Sequence, residues 1–571
     1  MALAEAVLRK VHKLGLVPKI VRLLPLMAAA MVIASIGSLM YLGVDGQYRN
    51  VYISENALMP SQVMSYFRES EWNIVRGYRE EVSKLEDEDL LVRCAVVEGW
   101  FKKLGYVTSY YDDTLYAILH APRGDDTEAM VLTVPWTISK SDDDEFNEGA
   151  IAIAVSMARY FKRMSIWSKN IIFTFPKDAQ ALRDWVEAYH TTLKDTAGSI
   201  DAAIVIEYGK NGDNFEYIEV DYEGLNGQLP NLDLINTLTN IAYNEGIHTS
   251  IQGTSGEELV KNTYGTRIRT LFYGLANLVL TGLKRKSGGC EAFSGWQIQA
   301  ITIRAKGTKG PADVTQFGRL IDSTFRSVNN LLEKFHQSFF FYLMLSPKNF
   351  VSIGTYLPSA VLMALVFALS SLNRLIRDPK TVENISNNIS NAIILYTCVV
   401  AYSFMVGELL PKAVLSDLVS AEVVPIYGMI FFLLVQIAMP SKLRTFQAPY
   451  AEFLHAIFLF HISMLIIALL IVHFALALFI ALIALPLAFL SPVADNNTFK
   501  GYLLIFLANP FTVVFTIDKY IVPDGGIAYG LLTSYTKLQC WTWPLLIWGY
   551  FPAWLGIAFT HCLTGTTDPK K

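Results

Sequence analysis

The sequence predicts a two-part protein: an α/β domain with a mixed, mostly parallel sheet between helices, joined to a multi-span α-helical membrane domain. Three observations predict it. Of 571 residues, 52% are hydrophobic and only 17% charged, and mean hydropathy is +0.34, too apolar for a water-soluble enzyme of this length. The apolar runs are unevenly placed, one near the N-terminus and the others after residue 345. Between them, strand-like runs alternate with amphipathic helical ones, the pattern of a layered α/β domain. A net charge of -4 offers no basic surface for nucleic acid. Five cysteines without ligand-like spacing exclude a disulfide-stapled module. Cys94 and Cys290 fall in the α/β part and could pair or stay free; Cys398, Cys540 and Cys562 lie in or beside apolar segments.

Residues 1–22 carry Arg9, Lys10, His12, Lys13, Lys19 and Arg22, so the positive-inside rule makes them a cytosolic N-terminus. Residues 23–43 form the first span, an uncleaved anchor, because a bilayer needs ~20 apolar residues and no A-x-A site closes the run. Residues 44–345 contain nothing able to span. Residues 346–562 hold seven further spans, near Phe350–Leu372, Asn391–Leu410, Ala421–Met439, Phe453–Ile471, Val472–Phe489, Tyr502–Ile517 and Trp541–Phe559. The run 453–489 is too long for one helix and reads as a tight hairpin. About eight spans put both termini on one side. Arg374, Arg377, Lys380, Lys442 and Arg444 then face the cytosol, as do the sequons at Asn384, Asn388 and Asn496. Residues 563–571 are a cytosolic tail, and Lys570 and Lys571 resemble a dilysine retrieval signal. The expected location is the endoplasmic reticulum membrane, multi-pass, with the large domain in the lumen.

Inside that domain, Val131–Val134, Ile171–Phe175, Ala202–Ile206 and Ile298–Ile303 read as strands, with helices over Asn147–Phe161 and Ala179–His190. Ligands in such sheets bind beyond the carboxyl ends of the strands. The region resembles the co-catalytic zinc aminopeptidases, which carry His-x-Asp after the first strand, Asp in an acidic loop, Glu-Glu after the second strand, Asp after the third, and a late His. Here Pro135-Trp136-Thr137 replaces His-x-Asp, and Glu145 is the candidate for the loop Asp. Asp178-Ala179 replaces Glu-Glu, Glu207 stands at the third strand, and no histidine lies between His248 and His336. Zinc needs more N, O or S donors than that, so the resemblance implies a peptidase-like domain without a zinc site. Asp142, Asp143, Asp144 and Glu145 read as a solvated acidic loop.

Longer stretches carry a second resemblance: YISENALMP (52–60), EAYH (187–190), YEGLNGQLPNLDLIN (222–236), LLEKFHQSFFFYL (331–343) and FVSIGTYLPSA (350–360). With the stretch from Val131 to Phe161, these resemble, in order along the whole chain, the GPI-anchor attachment proteins, subunits of the glycosylphosphatidylinositol (GPI) transamidase. The resemblance implies a non-catalytic subunit of an endoplasmic-reticulum complex, with the catalytic cysteine in a separate cysteine-protease-like subunit. It implies GPI glycolipid and the other subunits as partners, proprotein substrates indirectly, and a role in holding the glycolipid and assembling the complex. The alternative is a divergent metallopeptidase-like enzyme that itself forms the amide bond; a lipid transporter ranks below both.

Two stretches flank the membrane on its luminal side. Tyr52, Ser54, Glu55 and Asn56 follow the first span; His336, Gln337 and Ser338 precede the second, beside Phe339, Phe340, Phe341 and Tyr342. They are the candidate GPI site, since sugars and phosphoethanolamines need hydroxyl, amide and imidazole partners and aromatics suit the boundary. The rival reading makes them polar elbows. Without an Arg or Lys cluster, Mg²⁺ beside Gln337 is the expected counter-charge to phosphate; no cofactor is required for catalysis. Asn231 or Asp233 caps the helix after Pro230, making that stretch a structural corner or subunit contact. Pro544, Trp548 and Pro552 mark a kink or lipid-facing groove in the last span. His455, His461 and His473 lie within spans as interhelical hydrogen-bonders.

Overall fold

The computed structural model describes residues 16–139, 144–210, 212–284, 288–377, 379–438, 446–491, 498–522 and 525–564. Arg9, Lys10, His12, Lys13, Asp142, Asp143, Lys442, Arg444, Asn496, Lys570 and Lys571 lie outside the described residues, as do the side chains of Lys19, Arg377, Lys380 and Asn384. The chain divides into two compact units, Leu42–Ile353 and the described parts of Met1–Tyr41 with Gly354–Lys571.

Among its described residues, the first unit holds an eight-stranded sheet: β1 (Val107–Tyr111), β2 (Thr114–Leu119), β3 (Glu128–Thr133), β4 (Asn170–Phe175), β5 (Ser199–Glu207), β6 (Tyr217–Asp221), β7 (Thr249–Ile251) and β8 (Gln299–Lys306). Their order is β7-β6-β8-β5-β3-β4-β2-β1. The centre, β8-β5-β3-β4, is parallel, as the strand–helix alternation requires. The margins are mixed: β2 runs against β4, β1 against β2, and β6 against β8, while the edge strand β7 runs parallel to β6. A two-residue turn at Asp112-Asp113 joins β1 to β2, and so short a link can only reverse the chain.

The central strands are buried on both faces, which is why they read as unbroken apolar runs. Met130, Leu132, Phe173 and Ile204 enter one core with the helix Glu148–Lys162. Their neighbours Val131, Ile172, Ala203 and Val205 enter the other with Leu182 and Trp185 of the helix Ala179–Thr191. The period of two along each strand thus separates two cores.

A second sheet contains β9 (Tyr342–Ser346) and β10 (Asn349–Ser352), with Arg49 and Asn50 paired antiparallel to Phe350 and Asn349. The expectation that a span begins at Phe350 is corrected: Phe350 to Ser352 belong to β10, and the helix begins at Ile353. Phe350 is fully buried, so its hydropathy reports a protein core. The α/β unit accordingly runs from 42 to 353, where 44 to 345 was expected.

Among the described residues of the second unit, five helical segments are long and apolar enough to cross a membrane: Arg22–Tyr41, Ile353–Ile376, Asn388–Leu415, Ala448–Val472 and Thr542–Leu563. Phe499–Leu507 and Pro510–Ile521, bent by 62°, make a sixth if taken as one span. Val423–Gln436 and Phe474–Ala488 are apolar but shorter, so the expected count of about eight rests on two helices below ~20 residues. The break in the 453–489 run falls at His473 (φ -151°, ψ 73°). His455 Nε2 meets the Leu487 carbonyl at 3.3 Å, which sets the two helices antiparallel, as the hairpin reading required. In the last segment a π-helical turn, Leu545–Tyr550, lies between Pro544 and Pro552.

Candidate functional site

The residues picked out on either side of the membrane segments meet in the α/β unit. Glu55 is buried, and its Oε1 accepts hydrogen bonds from the peptide N–H groups of His336 (2.9 Å) and Gln337 (2.8 Å). Its own N–H and that of Ser54 donate to Asp233 Oδ2 at 2.7 and 2.9 Å. Two carboxylates therefore lace three chain segments together, each satisfying a pair of backbone donors that burial would otherwise leave unpaired.

The helix Leu232–Asn244 positions this lacing. Asn231 is its N-cap and accepts from Asp233 N at 2.9 Å, which frees the Asp233 carboxylate to turn outward. One turn on, Asn236 Nδ2 donates to the Tyr52 carbonyl at 2.9 Å. Leu232 N donates to the Phe339 carbonyl at 2.9 Å, and Tyr342 OH to that of Pro230 at 2.8 Å. In the sequence Asp233 reads as a capping candidate, and Asn236 carries no signal of its own. Two polar side chains one turn apart at a helix start were the available signal.

Above the carboxylates, Tyr52, Asn56, His336 and Gln337 are exposed, while Ser54 and Ser338 are half-buried. Tyr342, expected at the boundary with Phe339 to Phe341, is fully buried; Phe339 is half-buried under the Arg49 guanidinium, 5.7 Å away. The His336 imidazole is raised above its usual pKa by the Lys334 carbonyl first, then by the charges of Glu55 and Glu333. Burial pushes the Asp233 carboxyl up, against the N–H donors of Glu55 and Ser54 and the Ser338 hydroxyl.

This cluster sits at the amino ends of the parallel strands. Asn231 N donates to Gln299 Oε1 at the start of β8 (2.7 Å), and Lys334 Nζ to Ser199 Oγ at the start of β5 (2.7 Å). It is the opposite edge from the one where ligands usually bind in such sheets.

Residues 111–558 match the family described as Gaa1-like, GPI transamidase component. Over 97% of its length the chain is 39% identical to GPI transamidase component GAA1 of Saccharomyces cerevisiae, covering 97% of that protein. It is 32% identical over 58% of its length to GPI transamidase component gaa1 of Schizosaccharomyces pombe, covering 61% of that protein. The chain belongs to the Gaa1-like family. Among solved structures, the Legionella pneumophila LapA aminopeptidase is 12% identical, covers 50% of this chain and 78% of its own, and has a TM-score of 0.31. The Porphyromonas gingivalis glutaminyl cyclase is 10% identical, covers 47% and 99%, and has a TM-score of 0.28. Likenesses that slight bear no weight on function.

At the carboxyl edge of this Gaa1-like sheet, the positions compared with zinc ligands have other partners. Trp136 is fully buried and stacks on Phe146 at 6.2 Å. Asn147 fills the space between strands, donating to the Pro135 and Ile206 carbonyls (2.9 and 3.1 Å) and accepting from Tyr208 and Gly209 N–H groups (3.0 and 3.2 Å). Glu145 accepts from Lys210 N at 3.2 Å, Asp178 caps its helix through Ala181 N at 2.9 Å, and Glu207 pairs with Arg304. An indole, an amide, two carboxylates taken up by backbone N–H groups and one salt-bridged to Arg304 do not fit a zinc site. At the position expected for Mg²⁺, the exposed Gln337 amide offers one neutral oxygen, and one oxygen each of Glu55 and Asp233 already takes two N–H donors.

Cys94 and Cys290 of the Gaa1-like chain are free and buried. In EAYH, Tyr189 OH donates to the Gly198 carbonyl at 2.7 Å, and the exposed His190 stacks on Trp296 at 4.6 Å. In the membrane unit, Pro544 and Pro552 are buried and Trp548 stacks on Phe404 at 5.0 Å. An open apolar cavity of about 750 Å³ lies instead between Pro379–Leu415 and Ala448–Val472, where Tyr396 and His461 are its polar lining. His461 reaches the Gly549 carbonyl (2.7 Å) and Tyr396 OH (2.5 Å) across helices, whereas His473 accepts from Leu476 N within its own hairpin.

Proposed function

We propose that this chain is the non-catalytic subunit of the GPI transamidase that holds the GPI glycolipid and helps assemble the complex, in the endoplasmic reticulum membrane with its α/β unit in the lumen. The catalytic cysteine belongs to a separate cysteine-protease-like subunit, and proprotein substrates are met through that subunit. The observation that carries the reading is the meeting of Tyr52–Asn56 with His336–Ser338 over Glu55 and Asp233. Family membership supplies the complex; the juxtaposition supplies a surface of phenol, amide and imidazole groups suited to sugar hydroxyls and phosphoethanolamine. Chain length supports its height. Tyr52 follows soon after the first membrane helix ends at Tyr41, and Ser338 precedes the second, which begins at Ile353, by a single hairpin.

The test is transfer of a reporter proprotein to GPI in cells whose only copy carries His336→Ala or Ser54→Leu. Reduced attachment, with uncleaved precursor accumulating while the catalytic subunit still co-isolates, is the expected result. Normal attachment in both variants would reject the site.

A further inference from the structure

The helix Tyr264–Leu280 has a half-exposed face, bordered by Glu258, whose carboxylate pairs with Arg269 at 3.2 Å, and the proposed headgroup site does not use it. Its inner residues Leu271, Leu275 and Leu278 are buried. Arg269, Phe272, Tyr273 and Ala276, spaced by three and four, share one outward face. Phe272 is 44% and Tyr273 46% exposed, and the Arg269 guanidinium lies over the Tyr273 ring at 5.4 Å.

The N-terminal end of this helix is tied to both places where the chain meets its membrane segments. Arg267 Nε donates to the Gly43 carbonyl at 3.0 Å, and Arg267 pairs with Asp45 at 2.7 Å. A Cβ on Gly43 would lie 2.7 Å from Ile268 Cδ1 and 3.2 Å from the Tyr264 ring, so the backbone there presses on the helix. The first apolar span ends at Tyr41, two residues earlier, a distance of at most about 7 Å along the chain. On the other side Asn262 Nδ2 donates to Asn349 Oδ1 at 2.8 Å, and the second apolar helix starts at Ile353. Both tethers are too short to let this helix stand far from a bilayer that those segments cross.

We propose that the face bearing Arg269, Phe272 and Tyr273 rests on the phospholipid headgroup layer. Ring-bearing side chains with a polar or cationic neighbour partition to that depth. Tyr243, exposed beneath the Lys348 ammonium at 3.8 Å, repeats the pairing next to Asn349. Such a contact holds the α/β unit at a set height over the bilayer, independently of whether the Tyr52–Ser338 cluster binds GPI.

The test places a photoreactive benzoyl-phenylalanine at 272 or 273 in the full chain, assembled in membranes containing radiolabelled phosphatidylcholine. The same residue at Leu91, exposed on the helix Leu90–Lys103, is the comparison; that helix also carries Arg93, over Trp136 and Phe146 at the carboxyl edge of the sheet. All three positions are exposed, so the variants fold. Irradiation should give lipid adducts at 272 and 273, several-fold above those at 91. Adducts only to protein, equal lipid labelling at 91, or no adduct at either position would each overturn the proposal.

Discussion

Glu55 carries more of the candidate site than any side chain it presents to solvent. Replacing it with leucine strands the His336 and Gln337 N–H groups, at a cost of about 1–3 kcal/mol for each unpaired donor. Amide exchange at 336 and 337 should accelerate in Glu55→Leu and stay near normal in Glu55→Gln, which keeps one acceptor oxygen. His336 adds a pH dependence. Its pKa is raised above 6.5, so the attraction between imidazolium and Glu55 is complete below that value and fades as pH rises through the raised one. GPI transfer in permeabilised membranes should therefore weaken as pH climbs past about 6.5, and His336→Gln should flatten that profile. Elsewhere in the unit, burial pushes the Glu223 carboxyl up to about 7, where it meets the Gln252 amide. The unfolded chain ionises first, so stability falls as pH rises from 4.5 to about 7 and then levels off. Glu223→Gln should slow amide exchange in Tyr217–Asp221 at pH 7.5 more than at pH 5. The two segments at the site were legible as residues, because polar side chains beside membrane segments stand out against apolar runs. Asp233 and Asn236 were not, since a helix start explains them equally well until the partner backbone is seen.

At the level of elements, hydrophobic period located the central strands and the helices between them to within a few residues. It failed at Phe350, where a buried strand and a membrane helix share the same apolar letters and differ only in what surrounds them. Helix contacts in the membrane unit depend on glycines that composition alone does not rank. A Cβ on Gly556 would sit 2.2 Å from Phe458 Cζ, and one on Gly407 2.1 Å from Trp548 Nε1. Aromatic rings in packed interiors give way poorly, so Gly556→Leu should cost at least the ~1–3 kcal/mol typical of overpacking. The expected readout is faster proteolysis of the detergent-solubilised chain within 446–564, with the α/β unit still protease-resistant. Unchanged resistance there would show that the helices do not approach as closely as the Phe458 contact implies.

Over the whole molecule, the two edges of one sheet are filled differently. The carboxyl edge is closed by Trp136, Asn147 and the Glu207–Arg304 pair. The amino edge gathers the segments that border the membrane. In the second sheet Asn50 and Asn349 are directly paired, with their side chains hydrogen-bonded at 2.8 Å. Paired residues on adjacent antiparallel strands have Cβ atoms ~4.5–5.5 Å apart, close to what a disulfide spans. The double variant Asn50→Cys, Asn349→Cys should therefore form a cross-link that survives non-reducing electrophoresis after cleavage of the intervening chain, and GPI attachment should persist. Failure to cross-link would separate the two chain ends and remove the basis for a shared site. The amino-acid sequence by itself determined the division into an α/β unit and apolar helices, the alternation of the central strands, and the lack of any histidine between His248 and His336, because each is written in local composition and period. Tertiary structure alone decided that Glu55 and Asp233 join segments almost three hundred residues apart, and that they do so at the amino edge. Pairings over such distances depend on how strands order themselves in a sheet, and no local pattern of side chains encodes that.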